Sequence, residues 1–201
     1  MAVLRPVILA SSSETRRKIL SDAGLAFEAA GVTLDEKRLK EKLTAKGVTG
    51  DAFALALARA KATDIAEKHG DFLVIGADQI LECGGKRFDK PQSWTQARRQ
   101  LEGLSGKTHS LTSVVCVLCG EKTVWTYSDH AHLTMRSLSG DFMDSYLKEL
   151  GEKKLRRAGL YQLEGLGSQL FLSVEGDFFT ILGLPLFPLL EFLRSQGIIK
   201  T

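Results

Sequence analysis

Three stretches of the chain hold residue types that could do chemistry. The first is Leu9-Ala-Ser-Ser-Ser-Glu-Thr-Arg-Arg17. An apolar strand that enters a serine turn and then a helix offers backbone N–H groups and hydroxyls to an anion. Arg16 and Arg17 add planar forks that match phosphate oxygens. The same spacing also serves a plain helix cap with two surface arginines. It is not a Walker loop, because the glycines and the closing Gly-Lys-Ser/Thr are absent. The second stretch is Ile75-Gly-Ala-Asp78, followed by Asp89-Lys-Pro91. Asp78 lies just past an apolar run, where strand-end carboxylates line α/β clefts and can hold Mg²⁺ or draw a proton from water. Lys90 could neutralise a phosphate, with Pro91 stiffening its approach; a turn Asp and a solvated Lys fit the pattern equally. The third is Ala158-Gly-Leu-Tyr-Gln-Leu-Glu-Gly-Leu-Gly167, where glycines flank Tyr161, Gln162 and Glu164. These could give a ligand a ring, an amide and a carboxylate, or could simply connect to the next strand.

Positioning such groups requires alternating elements. Val7-Ala10 reads as a buried strand, with a helix through Ile19 and Leu20 behind it and any of the three serines able to cap it. Gly24-Gly31 carries a second strand, and Leu34-Gly50 a polar loop or short helix. Asp51 is expected to cap the next helix, which shows an apolar stripe of Phe53, Leu55, Ala58, Ala62, Ile65 and Ala66. Phe72-Ala77 reads as a central strand covered on both faces. Gly84-Gly85 turns a hairpin, and Ser93 starts a helix. Thr108-Leu118 and Thr123-Thr134 form a long β-branched hairpin. Asp141-Leu150 is a helix, Gln169-Val174 a strand, and Leu184-Gln196 a helix with Pro185 in its first turn. Glu175-Pro185 reads as packing. One α/β domain over 1–201 is expected, with two lobes about a cleft as the open variant.

Composition narrows the class. The 201 residues carry 27 Lys plus Arg against 24 Asp plus Glu, and 44% are hydrophobic. That balance fits a folded domain rather than a disordered chain. Apolar runs are far shorter than the ~20 residues of a bilayer span, and no leader-like segment precedes Val7, so a cytoplasmic protein is expected. The interspersed charge gives no reason to expect stable nucleic-acid binding. Lys153, Lys154, Arg156 and Arg157 form a basic patch without interleaved aromatics, so they read as a solvated helix face. Three cysteines cannot close a disulfide framework. The odd spacing of Cys116 and Cys119 sends them to opposite faces of a strand, as core residues. His130 and His132 read as surface residues, His69 as a helix end, and His109 as support for a nearby loop.

Taken in order, these segments resemble the Maf family of nucleoside triphosphate pyrophosphatases. The likeness rests on Leu9-Ala-Ser11 with Arg16-Arg17, Leu34-Asp-Glu36, Ala60-Lys-Ala62, Gly76-Ala-Asp-Gln79, Asp89-Lys-Pro91, Leu104-Ser-Gly-Lys-Thr-His109, Ala158-Gly165 and Gly183-Leu-Pro185. It implies a mixed, twisted sheet flanked by helices around a deep cleft. It implies cleavage between the α and β phosphates, a divalent cation (Mg²⁺, or Mn²⁺), and a homodimer. Carried over, Asp78 matches the general base, and Glu36 an acid that binds metal or orients water, so both are candidate metal ligands. Ser11, Arg16, Arg17, Lys61 and Lys90 match the polyphosphate set, and Glu164 a position near the cleft. The Ser11-Arg16 loop has the length of the 7-methyl-GTP branch, yet Thr15 stands where that branch has Trp. Tyr161-Gln-Leu-Glu164 fits neither that branch nor the dTTP/UTP one, so the base stays open. The alternative from another class is a non-enzymatic nucleotide-binding regulator of division or septum formation.

Overall fold

The computed structural model describes residues 5–158 and 160–200, with the side chains of 152–154 and 156–158 excepted. The chain runs β1 (Val7–Ala10), α1 (Glu14–Asp22), β2 (Glu28–Ala30), α2 (Glu36–Ala45), α3 (Gly50–Ala66), β3 (Leu73–Cys83), β4 (Lys86–Phe88) and α4 (Trp94–Leu104). It continues through β5 (Thr108–Cys119), β6 (Lys122–Met135), α5 (Gly140–Ala158), a 3₁₀ turn (Leu166–Leu170), β7 (Phe171–Glu175), α6 (Phe178–Ile181) and α7 (Leu186–Ser195). The strand order is β2-β1-β3-β5-β6-β7, with β4 paired to β3. β1 pairs in parallel with both β2 and β3, while β3/β4 and β6/β7 are antiparallel. The expected mixed α/β sheet with helices is therefore present.

Chain packing divides into two units. The first holds the described residues up to Gln79, Thr112–Asp129, and those from Phe178 on. Its core joins Leu9, Ile75 and Ala77 of the parallel strands to Leu20 of α1 and to Leu189 and Leu193 of α7. β1 is buried along its whole length, as a strand covered on both faces must be. α3 lies close against β3 at Gly76: a Cβ there would sit 2.1 Å from the Ala58 carbonyl oxygen and 2.9 Å from the Ala62 methyl. Only glycine permits that approach.

The second unit comprises Ile80–Leu111 and His130–Asp177. Ala97, Leu101 and Leu104 of α4 pack with Met143, Tyr146, Leu147 and Leu150 of α5 and with Leu170. Helical geometry in α5 breaks at Gly151, whose φ is +74°.

Several boundaries differ from the sequence reading. Thr49, not Asp51, precedes the first residue of α3, and the Asp51 carboxylate accepts a hydrogen bond from the Ser128 hydroxyl. The buried stripe of α3 uses Ala54 and Leu57 where Leu55 was expected, and it includes Lys61. β3 runs six residues past Ala77. The last strand starts at Phe171, after the 3₁₀ turn, and Pro185 caps α7 instead of entering it.

Candidate active site

The first unit gathers charged groups around Lys61. A lysine at i+3 and i+4 from Ala58 and Leu57 falls on the buried face of α3, and Lys61 is only 8% exposed. Its Nζ donates to Asp78 Oδ1 at 2.5 Å and lies 2.9 Å from Glu36 Oε2. Asp78 is 6% exposed. β3 delivers it across from α3, at the distance that Gly76 allows. Glu36 begins α2, where Asp35 caps the helix by accepting from the Arg38 N–H at 3.0 Å. The preceding loop is tied to α3 because Thr33 donates both its N–H and its hydroxyl to Asp64, at 2.7 and 2.9 Å. Glu36 also pairs with Lys40 at 3.0 Å. Partial burial pushes the Glu36 carboxyl upward, but Lys61 and then Lys40 outweigh it and lower the group to about 2. Glu36 is thus ionised at neutral pH.

Arg16 completes the cluster. Ser13 caps α1, accepting from the Arg16 N–H at 3.4 Å, while the Ser11 hydroxyl accepts from the Ser13 N–H at 3.2 Å. Those bonds wind the chain so that Arg16 faces inward, 9% exposed, with Nε donating to the Gly183 carbonyl at 2.8 Å. Burial lowers its pKa, and the Asp78 and Glu36 charges oppose that shift. Arg16, Lys61, Asp78 and Glu36 therefore share one electrostatic neighbourhood, with Ser11 buried at the end of β1.

Other residues read from the sequence lie elsewhere. Arg17 is exposed and donates to the Ser12 carbonyl at 3.2 Å. Thr15 is half-buried on α1. Lys90, Tyr161, Gln162 and Glu164 belong to the second unit, where Lys90 and Glu164 are exposed. The Tyr161 hydroxyl lies 2.6 Å from Nε2 of His109, and the ring packs edge-on against Phe171. Burial raises the Tyr161 pKa and lowers His109, which is 1% exposed, to about 4, so this pair is neutral. His109 thus braces Tyr161 in the loop after α5; the sequence alone suggests support for a nearby loop without saying which. Gly159 and the basic side chains of Lys153, Lys154, Arg156 and Arg157 lie outside what the structure describes.

The segment Glu175-Pro185, expected to serve packing, does more. Its Thr180, Ile181 and Gly183 carbonyls accept from Gln79 and Arg16. Gln79 and Ser113 had no role assigned; the signal available was a polar pair, Asp78-Gln79, interrupting an apolar strand. The cysteines are free thiols, with Cys116 buried and Cys119 half-buried. His130 and His132 are exposed.

The donor set bears on a divalent cation. Among the described residues no three His, Cys, Asp or Glu converge. Two carboxylates converge, Glu36 and Asp78, and both offer hard oxygen. Mg²⁺ commonly binds through one or two carboxylates, completing its shell with water and substrate phosphates. The residues fit an ion shared with an anionic ligand rather than a preformed cage.

The mixed α/β fold thus buries an arginine and a lysine beside two carboxylates, one of them buried and one half-exposed. Sequence comparison gives the family: Maf-like protein, matched over residues 6–196. A 7-methyl-GTP pyrophosphatase of Rhizobium meliloti (strain 1021) is 48% identical over 195 residues, covering 97% of this chain and 98% of its own length. A nucleoside triphosphate pyrophosphatase of Paramagnetospirillum magneticum (strain ATCC 700264 / AMB-1) is 48% identical over 190 residues, covering 94% and 98%. Another, from Nitrobacter hamburgensis (strain DSM 10229 / NCIMB 13809 / X14), is 44% identical over 204 residues, with both chains fully covered. The chain belongs to the Maf family. A HAM1 protein from Coxiella burnetii superposes with a TM-score of 0.43 and 13% identity, over 83% of this chain and 91% of its own. Among the described residues no helix is long and apolar enough to cross a membrane.

Proposed function

We propose that this chain hydrolyses nucleoside triphosphates between the α and β phosphates, releasing a nucleoside monophosphate and pyrophosphate. The observation that carries the reading is Lys61 bridging Asp78 and Glu36 beside the buried Arg16. Family membership and the pyrophosphatase names of the relatives point the same way. The non-enzymatic regulator is disfavoured because the relatives bear pyrophosphatase names and both acids that the reaction needs, Glu36 and Asp78, are present.

In this reading Arg16 and Lys61 supply positive charge to the polyphosphate. Both are held by buried partners, so little reorganisation accompanies binding. Glu36 and Asp78 hold the attacking water and orient it on phosphorus. A divalent cation held by Glu36 and Asp78 would offset phosphate charge and make bound water easier to deprotonate. Asp78 then needs no unusual basicity, which suits a carboxylate already paired with an ammonium. Ser11 adds a hydroxyl at the strand end. The roles of Arg17, Lys90, Thr15, Tyr161, Gln162 and Glu164, the cleft and the homodimer rest on the family resemblance.

The test is a panel of 7-methyl-GTP, dTTP, UTP and the canonical triphosphates with Mg²⁺ or Mn²⁺. The expected products are the monophosphate and pyrophosphate, and the panel's order of rates identifies the base. Orthophosphate with a nucleoside diphosphate would place the cut at the wrong bond and overturn the reading.

A further inference from the structure

Gln79 follows Asp78 on β3, so its side chain leaves the opposite face of the strand. Its Nε2 lies 2.9 Å from Ser113 Oγ, 2.9 Å from the Thr180 carbonyl and 3.0 Å from the Ile181 carbonyl. Ser113, fully buried on β5, donates its hydroxyl to the Thr180 carbonyl at 2.8 Å, which leaves its lone pairs to accept from Gln79. The Thr180 hydroxyl, also fully buried, donates to Asp129 at 2.6 Å. The Gly183 N–H returns to the Thr180 carbonyl at 3.0 Å. This web fixes residues 180–183, and the last of them, at φ +95°, presents the carbonyl that accepts from Arg16 Nε.

We propose that Gln79 and Ser113, acting through Thr180, are positioning residues for Arg16. They hold the Gly183 carbonyl, and that carbonyl sets the orientation of the guanidinium fork presented to the polyphosphate. The inference rests on the triphosphate reading above. The inner N–H is the anchor: with it fixed, the planar fork has little freedom left, and displacing such a group by about an ångström costs rate steeply.

A double-mutant cycle tests this, with melting temperature followed alongside the rate. Gln79→Met keeps the length of the side chain but removes both amide hydrogens, and should lower kcat/KM about tenfold. Arg16→Lys keeps the charge but has no planar fork for the Gly183 carbonyl to orient. In that background Gln79→Met should cost less than about twofold, because the two changes act through one contact. Equal factors in both backgrounds would mean that Gln79 serves stability alone and would overturn the inference. If Arg16→Lys shows no turnover, the same cycle is read from the Kd of inorganic pyrophosphate by calorimetry, with the same criterion. If Gln79→Met does not fold, Ser113→Ala takes its place, since it removes one donor from the same carbonyl. A wild-type protein that turns over no nucleoside triphosphate would overturn the functional reading and this inference together. Turnover with additive losses overturns the inference alone.

Discussion

Replacing Lys61 with methionine preserves most of its volume and removes the charge that joins Asp78 to Glu36. Asp78 is nearly inaccessible to water, so losing its partner leaves a buried carboxylate facing Arg16 alone. Removing one member of a buried pair costs about 3 kcal/mol or more. Glu36, whose side chain is 38% exposed, adds about 1 kcal/mol after solvent screening. For a chain of this size that total corresponds to a fall in Tm of about 8–16 °C at pH 7. The pH dependence has a definite sign. Glu36 is depressed from 4.5 to about 2 in the folded state, so its contribution is complete above about pH 4.5 and is lost as pH falls through about 2. In Lys61→Met the carboxyl should return toward its ordinary value. The Tm gap between the two proteins should therefore be constant above pH 5 and narrow on acidification toward pH 2. Calorimetric melting across that range is the assay. A gap under about 2 °C at pH 7, or one that widens in acid, would refute the bridging role of Lys61.

Three further outcomes are expected. Asp78→Asn should abolish most pyrophosphate release while leaving the protein folded by circular dichroism; a folded variant with a near-normal kcat would remove Asp78 from the chemistry. Gly76→Ala should lower Tm and rate together, because the added methyl meets the Ala58 backbone and must push α3, with Lys61, off β3 at a cost of about 1–3 kcal/mol. Arg16→Ala should reduce kcat/KM at least about tenfold more than Arg17→Ala, since a buried charge is lost in one case and an exposed side chain in the other; equal losses would mean that Arg17 also reaches substrate.

The sequence revealed elements more readily than partners. Val7-Ala10, the Gly84-Gly85 turn, the Ser93 cap and the long hairpin were legible because local patterning and turn chemistry determine them. Asp51 misled because a good capping residue competed with Thr49, one turn position away, and Ser128 claims its carboxylate from a distant strand. Asp78 was legible as an acid interrupting an apolar run, although β3 continues past it to Cys83 and it is no strand end, and the two arginines were legible only as candidates for an anion. Which arginine turns inward was not, because that depends on the phase of α1 relative to the core. Lys61 carried a readable signal, a cation within an apolar helical stripe, but its two carboxylate partners lie 17 and 25 residues away on other elements. Gln79 was invisible as a positioning group, since its acceptors are the Ser113 hydroxyl on another strand and two backbone carbonyls more than 100 residues later.

That last separation has a consequence for how the protein is made. Arg16 and its carbonyl acceptor lie 167 residues apart. During synthesis the amino-terminal strand and helix exist long before Gly183 does. Until then the guanidinium has no such acceptor, and the nascent chain must tolerate an arginine in a region that will become interior. Early collapse of β1, α1 and β3 therefore cannot be the final native packing, and Arg16 keeps its hydration until the segment that carries Gly183 packs against it. The orientation of Arg16 is therefore a late product of folding, since it depends on a carbonyl made long after the helix that carries the guanidinium.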